Sequence, residues 1–211
     1  MVLKAIGIRG LIKTLWNYPH ISGRGLRVLF GRKTHIDIHN KSTIICAGKF
    51  LFGINTSAVH DSRGGSRLEI GRDGKLIISA EDGAARMGPA MQVRINGEFT
   101  MSGPSYISGD SYIVCDSQIE IGKGCAISWG VDIMDSNMHH IEESGTEKPI
   151  KNPISIGDNV WIGANATVLP GVEIGDGAII AANSVITNDV DTETLVGGAP
   201  ARTIQKNVDW H

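Results

Sequence analysis

Residues 154–165 read ISIGDNVWIGAN, and residues 172–183 repeat this phrase as VEIGDGAIIAAN. Through this stretch an aliphatic residue recurs at every sixth position, at Ile156, Ile162, Val168, Ile174, Ile180 and Ile186. A period of six matches neither an amphipathic helix nor the alternation of a half-buried strand. Three short strands, each placing one aliphatic residue inward before a corner, would give a coil of 18 residues, and stacked coils would bury a continuous aliphatic column. The stretch therefore predicts a solenoid.

The same spacing extends toward the N-terminus. Two earlier ladders consist of Ile95, Met101, Ile107, Ile113 and Ile119, and of Ile121, Ile127 and Ile133. The separation of 35 residues between Ile121 and Ile156 exceeds one 18-residue coil by 17. We therefore expect a segment inserted at about residues 134–153. Residues 57–67 and 79–92 keep the spacing poorly and are expected to form irregular edges or loops.

The formal net charge of −2 hides an asymmetry along the chain. Residues 1–41 carry eight Lys or Arg against Asp37 alone, a net of +7, which leaves −9 for the remainder. In this basic arm an apolar stripe at helical spacing comprises Ile8, Leu11, Ile12, Leu15 and Trp16. The stripe predicts a short amphipathic helix that either caps the first coil or lies on an anionic membrane surface. We expect three regions: an N-terminal arm or cap (1–35), the solenoid (36–198) and a C-terminal tail (199–211).

The cysteine content and the hydropathy of the sequence indicate the cellular compartment. The three cysteines form no CxxC pair, which favours a reducing environment, and Cys115 lies on the six-residue ladder as a small core residue. Arg9 and Lys13 interrupt the one apolar run near the N-terminus, so neither a signal peptide nor a membrane span is expected.

The inserted segment contains the best candidates for chemistry. It opens with IMDSNMHHI at residues 133–141 and continues through polar residues to Pro149 and Pro153. A polar excursion from a regular scaffold is a common place for function. His139 and His140 are candidate general bases, because the ordinary pKa of histidine, about 6.5, allows proton exchange near neutral pH.

Three stretches of the chain carry a resemblance to a known family. They are IGDNVWIGA at residues 156–164, the tail VGGAPARTI at 196–204, and AISWGVDIMDSNMHHI at 126–141. The chain resembles the hexapeptide-repeat acyltransferases, above all the capsule and lipopolysaccharide O-acetyltransferases and the maltose and galactoside acetyltransferase group. The resemblance implies an all-β, left-handed parallel β-helix, a homotrimer, and acetyl-CoA bound between neighbouring subunits.

The resemblance also implies roles for single residues of the insert. The capsule and lipopolysaccharide branch commonly reads Asp-x-Asp-aromatic-His-x-Ile here, which aligns His139, rather than His140, with the catalytic base. Asn137 and Met138 replace the acidic and aromatic residues of that pattern, so the acceptor pocket is expected to differ. Asp116 aligns with an acidic acceptor-binding position of the sugar acetyltransferases, although it could equally be a solvated corner residue.

Further residues align with the acetyl-CoA site of the family. The backbone N–H of Ala164 is implied as the oxyanion donor, and the small residues Gly163, Ala164 and Ala182 would let the pantetheine arm approach, although small residues also suit coil corners. Thr187 and Asn188 occupy the place where many relatives have Thr-Lys, and Asn188 lacks the charge. Arg202 is the cation expected to bind the nucleotide phosphates.

The sequence thus predicts an acetyl-CoA-dependent O-acetyltransferase acting on a sugar hydroxyl in surface polysaccharide or lipopolysaccharide synthesis. We expect a carbohydrate acceptor, no nucleic acid and no metal, with the protein in the cytoplasm or at the inner face of the membrane. An N-acyltransferase of a nucleotide-linked amino sugar and a non-catalytic scaffold remain open as alternatives. A metal-dependent hydratase on this fold would need three converging histidines, and the xenobiotic acetyltransferases have a different sequence around their histidine, so both are disfavoured.

Overall fold

The computed structural model describes residues 28–54 and 64–211, and all regular secondary structure in these residues is β. The helix expected between Ile8 and Trp16 and most of the irregular stretch expected at 57–67 lie outside the described residues. In chain order the strands are β1 (Val28–Phe30), β2 (Thr34–Ile38), β3 (Thr43–Phe52), β4 (Ser66–Ile70), β5 (Lys75–Met87), β6 (Gln92–Ile95), β7 (Glu98–Ser102), β8 (Tyr106–Ile107), β9 (Tyr112–Cys115), β10 (Gln118–Ile121), β11 (Ala126–Ile127), β12 (Asp132–Met134), β13 (Ile141–Glu143), β14 (Thr146–Lys148), β15 (Ile154–Ile156), β16 (Trp161–Ile162), β17 (Thr167–Val168), β18 (Glu173–Ile174), β19 (Ile179–Ile180), β20 (Val185–Ile186), β21 (Thr194–Gly198) and β22 (Ala201–Lys206).

The strands stack as three parallel faces. The third face has the order β2-β4-β6-β9-β12-β17-β20. The first face runs through β3, β5, β7, β10, β15 and β18, and the second through β1, β3, β5, β8, β11, β16, β19 and β21. The long strands β3 and β5 turn the corner between the first two faces, which joins these faces into one sheet of 13 strands. The predicted all-β parallel β-helix is confirmed.

The six-residue ladders form the core, as predicted. Ile121 pairs with Ile156 and Ile156 with Ile174, so that equivalent positions of successive coils lie directly above one another. Every member of the three ladders has at most 1% of its surface exposed. Fully burying one such side chain is worth roughly 1.5–3 kcal/mol, so the aliphatic column holds the coils together.

The break between the ladder that ends at Ile119 and the ladder that starts at Ile121 has a structural cause. Met101 pairs with Ile121, a step of 20 residues, whereas Ile156 and Ile174 are 18 apart. The corner after Ile113 is longer in this coil, and it contains Asp116 and Ser117. This longer corner is where the inserted segment attaches.

The inserted segment is a β-hairpin, here called the arm (residues 135–152). Its strands β13 and β14 pair antiparallel and belong to neither of the large sheets. The protruding segment expected near residues 134–153 is therefore confirmed. Of the irregular edge or loop expected at 79–92, residues 79–87 lie in β5, and the irregularity is limited to residues 81–83 and to the turn at 88–91. The spacing fails there because Gly48 pairs with Ala80 but Lys49 with Ala84, which leaves residues 81–83 as an excursion.

Both ends of the described chain join the solenoid. β1 pairs with β3, and β2 with β4, so residues 28–38 contribute to the first coil. At the other end β21 and β22 form an antiparallel hairpin whose turn contains Ala199 and Pro200. Beyond it the chain doubles back, and the indole Nε1 of Trp210 donates a hydrogen bond of 2.7 Å to the carbonyl of Asn159.

Candidate active site on the arm

The arm contains a bulge at its two histidines. Asn137 donates its N–H to the carbonyl of Ile150 at 2.8 Å, whereas Ile141 pairs with Lys148. Three residues, 138–140, therefore face a single residue, Pro149, on the opposite strand. Bulges bend a strand and re-aim its side chains, and they are common beside active sites.

The start of the bulge is defined by its backbone. Met138 has a φ of +59°, in the left-handed region that few residues other than glycine adopt. Its N–H donates a hydrogen bond of 3.1 Å to the hydroxyl of Ser136, whose side chain is buried at the base of the arm. This turn presents the residues that follow, His139 and His140, to solvent.

The two histidines differ in their partners. The Nδ1 of His140 contacts the carboxylate Oε1 of Glu147 on the opposite strand. His139 is exposed and makes no hydrogen bond or ion pair with any described residue. Lys148, which lies opposite Ile141, pairs diagonally with Glu143, and the hydrogen bond from Lys148 lowers the pKa of the Glu143 carboxyl. The Glu147 carboxylate thus orients the His140 ring through Nδ1, whereas the His139 ring has no partner among the described residues.

Asp116 lies where the arm joins the coils. Its carboxylate accepts a hydrogen bond of 2.7 Å from the Asn96 amide and lies 3.4 Å from the Arg94 guanidinium. Its side chain is 12% exposed, which is too little for a solvated corner residue. Asn137, the other residue expected to bind the acceptor, is exposed beside the bulge. The structure therefore brings both residues to the base of the arm.

Four of the residues expected to bind acetyl-CoA share another part of the solenoid, the corner between the second and third faces. Gly163 and Ala164 turn this corner in one coil and Ala182 in the next, and Asn183 donates its N–H to the Ala164 carbonyl at 2.8 Å. Arg202 reaches the same corner because it pairs with Gly197 in the terminal hairpin.

Two hydrogen-bond donors at this corner are open to a ligand. The N–H of Ala164 has no backbone acceptor among the described residues. The Arg202 side chain is exposed, and its guanidinium donates a 2.8 Å hydrogen bond to the carbonyl of Ala201. Both groups can therefore donate a hydrogen bond to a ligand.

Thr187 and Asn188 occupy a third location. They follow β20 at the corner between the third and first faces, the same corner from which the arm leaves after β12. Both are exposed, and the Asn188 amide donates to the Thr187 hydroxyl at 3.0 Å. In one chain the arm and the corner of Gly163 are thus separated by the third face.

Two residues of the arm were not singled out by the sequence. Asp135 is completely buried at the start of the arm, and Lys151 lies on the returning strand. Asp135 matches the first acidic residue of the Asp-x-Asp pattern, which was the one available signal. Among residues 28–54 and 64–211 no group of three His, Cys, Asp or Glu side chains could hold a metal ion. In the same ranges no helix is long and apolar enough to cross a membrane.

Comparisons with known proteins identify the repeat. The family model described as bacterial transferase hexapeptide (six repeats) matches residues 153–188. A probable macrolide acetyltransferase of Lysinibacillus sphaericus is 40% identical over 105 residues, which cover 41% of this chain and 58% of the relative. A chloramphenicol acetyltransferase of Agrobacterium fabrum is 48% identical over 54 residues, or 26% of each chain. The chain thus spans less than two thirds of these relatives.

Solved structures share the fold over a greater length. The polySia-specific acetyltransferase NeuO has a TM-score of 0.58 at 21% identity, covering 85% of this chain and 89% of its own. AntD, an N-acyltransferase from Bacillus cereus solved with dTDP-4-amino-4,6-dideoxyglucose and coenzyme A, has a TM-score of 0.56 at 17% identity, with coverages of 86% and 82%.

A third structure adds sequence similarity to the shared fold. A hexapeptide-repeat acetyltransferase from Vibrio cholerae, solved with acetyl coenzyme A, is 26% identical with a TM-score of 0.52, covering 64% of this chain and 72% of its own. The matched repeat, the named relatives and the shared solenoid agree with one another. Residues 153–188 are therefore bacterial transferase hexapeptide repeats, and the chain is similar to acetyltransferases of this repeat type over part of its sequence and in its fold.

Proposed function

We propose that this protein transfers an acetyl group from acetyl-CoA to a hydroxyl of a carbohydrate, with His139 as the general base. The observation that carries the proposal is the bulge of the arm, which exposes His139, the residue that matches the family pattern, with no hydrogen-bond or ion-pair partner among the described residues. An imidazole free to exchange protons on a projecting hairpin suits a base that must meet a bound hydroxyl.

The chemistry assigns one proton transfer to His139 in each half of the reaction. His139 removes the proton of the acceptor hydroxyl as its oxygen attacks the thioester carbonyl of acetyl-CoA. The tetrahedral intermediate collapses by breaking the bond between carbon and sulfur, and the leaving CoA thiolate takes the proton from His139. Such base catalysis typically contributes about 10²–10⁴-fold. The Ala164 N–H is proposed to donate to the oxyanion, and one such donor can be worth roughly 2.7–4 kcal/mol.

The proposed site lies between subunits of a homotrimer. The arm leaves one corner of the solenoid, and the corner of Gly163, Ala164, Ala182 and Arg202 lies across the third face. If one subunit supplies the arm and its neighbour the second corner, His139 and Ala164 can act on one thioester. Three copies around an axis would then form three equivalent sites.

The proposed acetyl-CoA site combines small residues with polar groups. Gly163 and Ala182 leave room for the pantetheine arm beside the coil backbone. Arg202 supplies positive charge for the phosphates at the same corner, and Thr187 with Asn188 offers neutral hydrogen bonds farther along the solenoid. The Vibrio cholerae acetyltransferase that is 26% identical to this chain was solved in complex with acetyl coenzyme A, which supports acetyl-CoA as the ligand.

The acceptor is proposed to be a sugar hydroxyl, with Asp116 and Asn137 at its binding site. The polySia-specific acetyltransferase shares the fold over most of both chains. AntD, with nearly the same TM-score, favours the second candidate, N-acylation of an amino sugar linked to a nucleotide. The sequence relatives named for macrolide and chloramphenicol acetylation make drug hydroxyls a third class to be tested. We further propose a cytoplasmic protein whose basic residues 1–41 favour contact with anionic membranes.

The proposal is tested by binding first and by transfer second. Isothermal titration with acetyl-CoA, together with the mass in solution, should show binding by a trimer. Radiolabelled acetyl-CoA is then offered with oligosaccharides, nucleotide-linked amino sugars, chloramphenicol and a macrolide. A product cleaved by hydroxylamine is an ester, whereas a resistant product is an amide and supports the N-acyltransferase. A folded trimer that binds no acetyl-CoA would refute the enzyme and favour a non-catalytic scaffold.

A further inference from the structure

Asp135 holds the start of the arm through a buried carboxylate. The residue is 0% exposed. Its Oδ1 accepts the backbone N–H of Asp116 at 2.7 Å, and its Oδ2 accepts the N–H of Ser117 at 2.7 Å. A buried carboxylate is costly unless it is hydrogen-bonded, and hydrogen bonds to a charged acceptor are roughly twice as strong as neutral ones. The arm is thus fixed to the corner at Asp116 and Ser117.

Lys151 holds the returning strand to the same corner from the other side. Its Nζ donates a hydrogen bond of 2.9 Å to the backbone carbonyl of Asp116. Ser136 and Lys151 pair across the stem, and Asn152 donates its N–H to the carbonyl of Asp135 at 2.9 Å. Each strand of the arm therefore has one charged residue that binds the segment Asp116–Ser117. Asp135 accepts hydrogen bonds from its N–H groups, and Lys151 donates one to its C=O group.

That segment is itself held to the preceding coil. The Asp116 carboxylate accepts from Asn96 and lies beside Arg94, both of which belong to the coil below. The contacts form a continuous chain from β6 to the stem of the arm. A shift of the arm would have to break charge-assisted bonds at this corner.

The rest of the arm has no packing of its own. Every residue from 137 to 149 is exposed, so the hairpin buries no side chain that could fix its direction. An isolated two-stranded hairpin is marginally stable at best. In the described chain the direction of the arm is therefore set at its stem, four residues before His139.

We infer that Asp135 and Lys151 are positioning residues that set the location of His139, an inference that rests on the proposed function. Neither residue touches a reacting atom. Their contribution is the placement of the imidazole, and a misplacement of about 1 Å can cost about 10²-fold in rate.

The test compares Asp135→Asn and Lys151→Met with Lys148→Met as a matched control. Lys148 is also an exposed arm lysine, but it pairs with Glu143 near the turn. Asparagine keeps one acceptor and turns an NH₂ toward a backbone N–H, whereas methionine removes the charge of Lys151 without disturbing the core. Hydrogen exchange of the Asn137 and Asn152 amides reports on the anchoring, and steady-state kinetics report on its consequence.

We expect Asp135→Asn to lower kcat by about 10²-fold and Lys151→Met by about 10-fold, with the KM for acetyl-CoA unchanged. Exchange at the two amides should accelerate in both variants and not in Lys148→Met. Folded variants with unchanged exchange and unchanged kcat would overturn the inference, as would a rise in KM without a loss of kcat. If Asp135→Asn does not fold, Lys151→Met decides alone. If the wild type transfers no acetyl group, the proposed function fails, and the exchange data still decide whether the stem anchors the arm.

Discussion

His140 and Glu147 contact each other across the arm, from the bulge on one strand to β14 on the other. This contact distinguishes two histidines that are adjacent in sequence. His140 has its Nδ1 engaged by a carboxylate, whereas the neighbouring His139 has no partner among the described residues. The contact orients the His140 ring through Nδ1 and leaves its Nε2 open, so the preference for His139 rests on the match of His139-x-Ile141 to the family pattern and on its position in the bulge.

Replacement of His139 by alanine should therefore abolish most of the base catalysis. We expect kcat to fall by roughly 10²–10⁴-fold while the affinity for acetyl-CoA is retained. Steady-state kinetics and calorimetric titration of the same preparation measure the two effects. His140→Ala is the matched control and should reduce kcat by less than about 10-fold, because it removes only the contact with Glu147. Retained turnover in His139→Ala would exclude His139 as the base.

Arg202→Ala should act on binding and not on chemistry. The guanidinium is exposed at the corner of Gly163 and Ala182 and is proposed to bind the phosphates of acetyl-CoA. We expect the KM for acetyl-CoA to rise by about 10-fold, since a charge-assisted hydrogen bond is worth roughly 1.5–3 kcal/mol. Lys206→Ala is the control, because that lysine lies on the same strand and pairs with Asp191. A reduced kcat at unchanged KM would contradict the assignment.

Gly163→Ala tests how closely the coils stack at this corner. An added Cβ would lie 2.6 Å from the backbone N of Ala182 and 2.9 Å from the carbonyl O of Ile180. Both neighbours are backbone atoms, so the coils must separate, and overpacking of this kind typically costs about 1–3 kcal/mol. Urea denaturation should show a lower midpoint.

The control for this change is Gly145→Asn at the turn of the arm. Gly145 has open space around it and a φ of +79°, which asparagine tolerates better than most residues. Its unfolding midpoint should stay close to that of the wild type. An unchanged midpoint in Gly163→Ala would mean that the corner can accommodate a side chain.

The repeat was predictable because burial acts on every coil alike. Ile156, Ile162 and Val168 each mark one face, and their spacing alone specifies three strands and three corners. The length of the insert also followed from the spacing between Ile121 and Ile156. Its hairpin conformation did not, because exposed residues such as those of β13 and β14 have no periodic burial to read.

The candidate site was predictable to a smaller extent. The family resemblance selected His139, but the bulge depends on the offset between two pairings, Ile141 with Lys148 and Ser136 with Lys151, which no single residue type specifies. Asp135 matches the first acidic residue of the family pattern, but nothing in the sequence indicates that it is buried. Its buried carboxylate is explained by the two backbone N–H groups that donate hydrogen bonds to it. These groups lie 18 and 19 residues away in sequence.

The buried Cys125 thiol is expected to make the folded solenoid less stable at alkaline pH. The thiol is buried, and its Sγ donates a hydrogen bond of 3.1 Å to the carbonyl of Gly157 in the next coil. Burial raises the pKa of Cys125 from 9.0 to about 11. The folded state therefore retains the thiol proton at pH values where the unfolded chain has already lost it.

The pH profile of the free energy of unfolding tests this linkage. The stabilisation from the protonated thiol is fully present below pH 9 and is lost as the pH rises toward about 11, because unfolding then releases the proton. A difference of about 2 pKa units corresponds to roughly 2–3 kcal/mol at most. Other groups titrate in the same range, so the informative quantity is the difference between the wild type and Cys125→Ala. The cavity left by alanine lowers the free energy of unfolding equally at every pH, whereas the contribution from the thiol proton is absent in Cys125→Ala. We expect the difference in free energy of unfolding to shrink between pH 9 and 11, and a constant difference would show that the thiol ionises equally easily in both states.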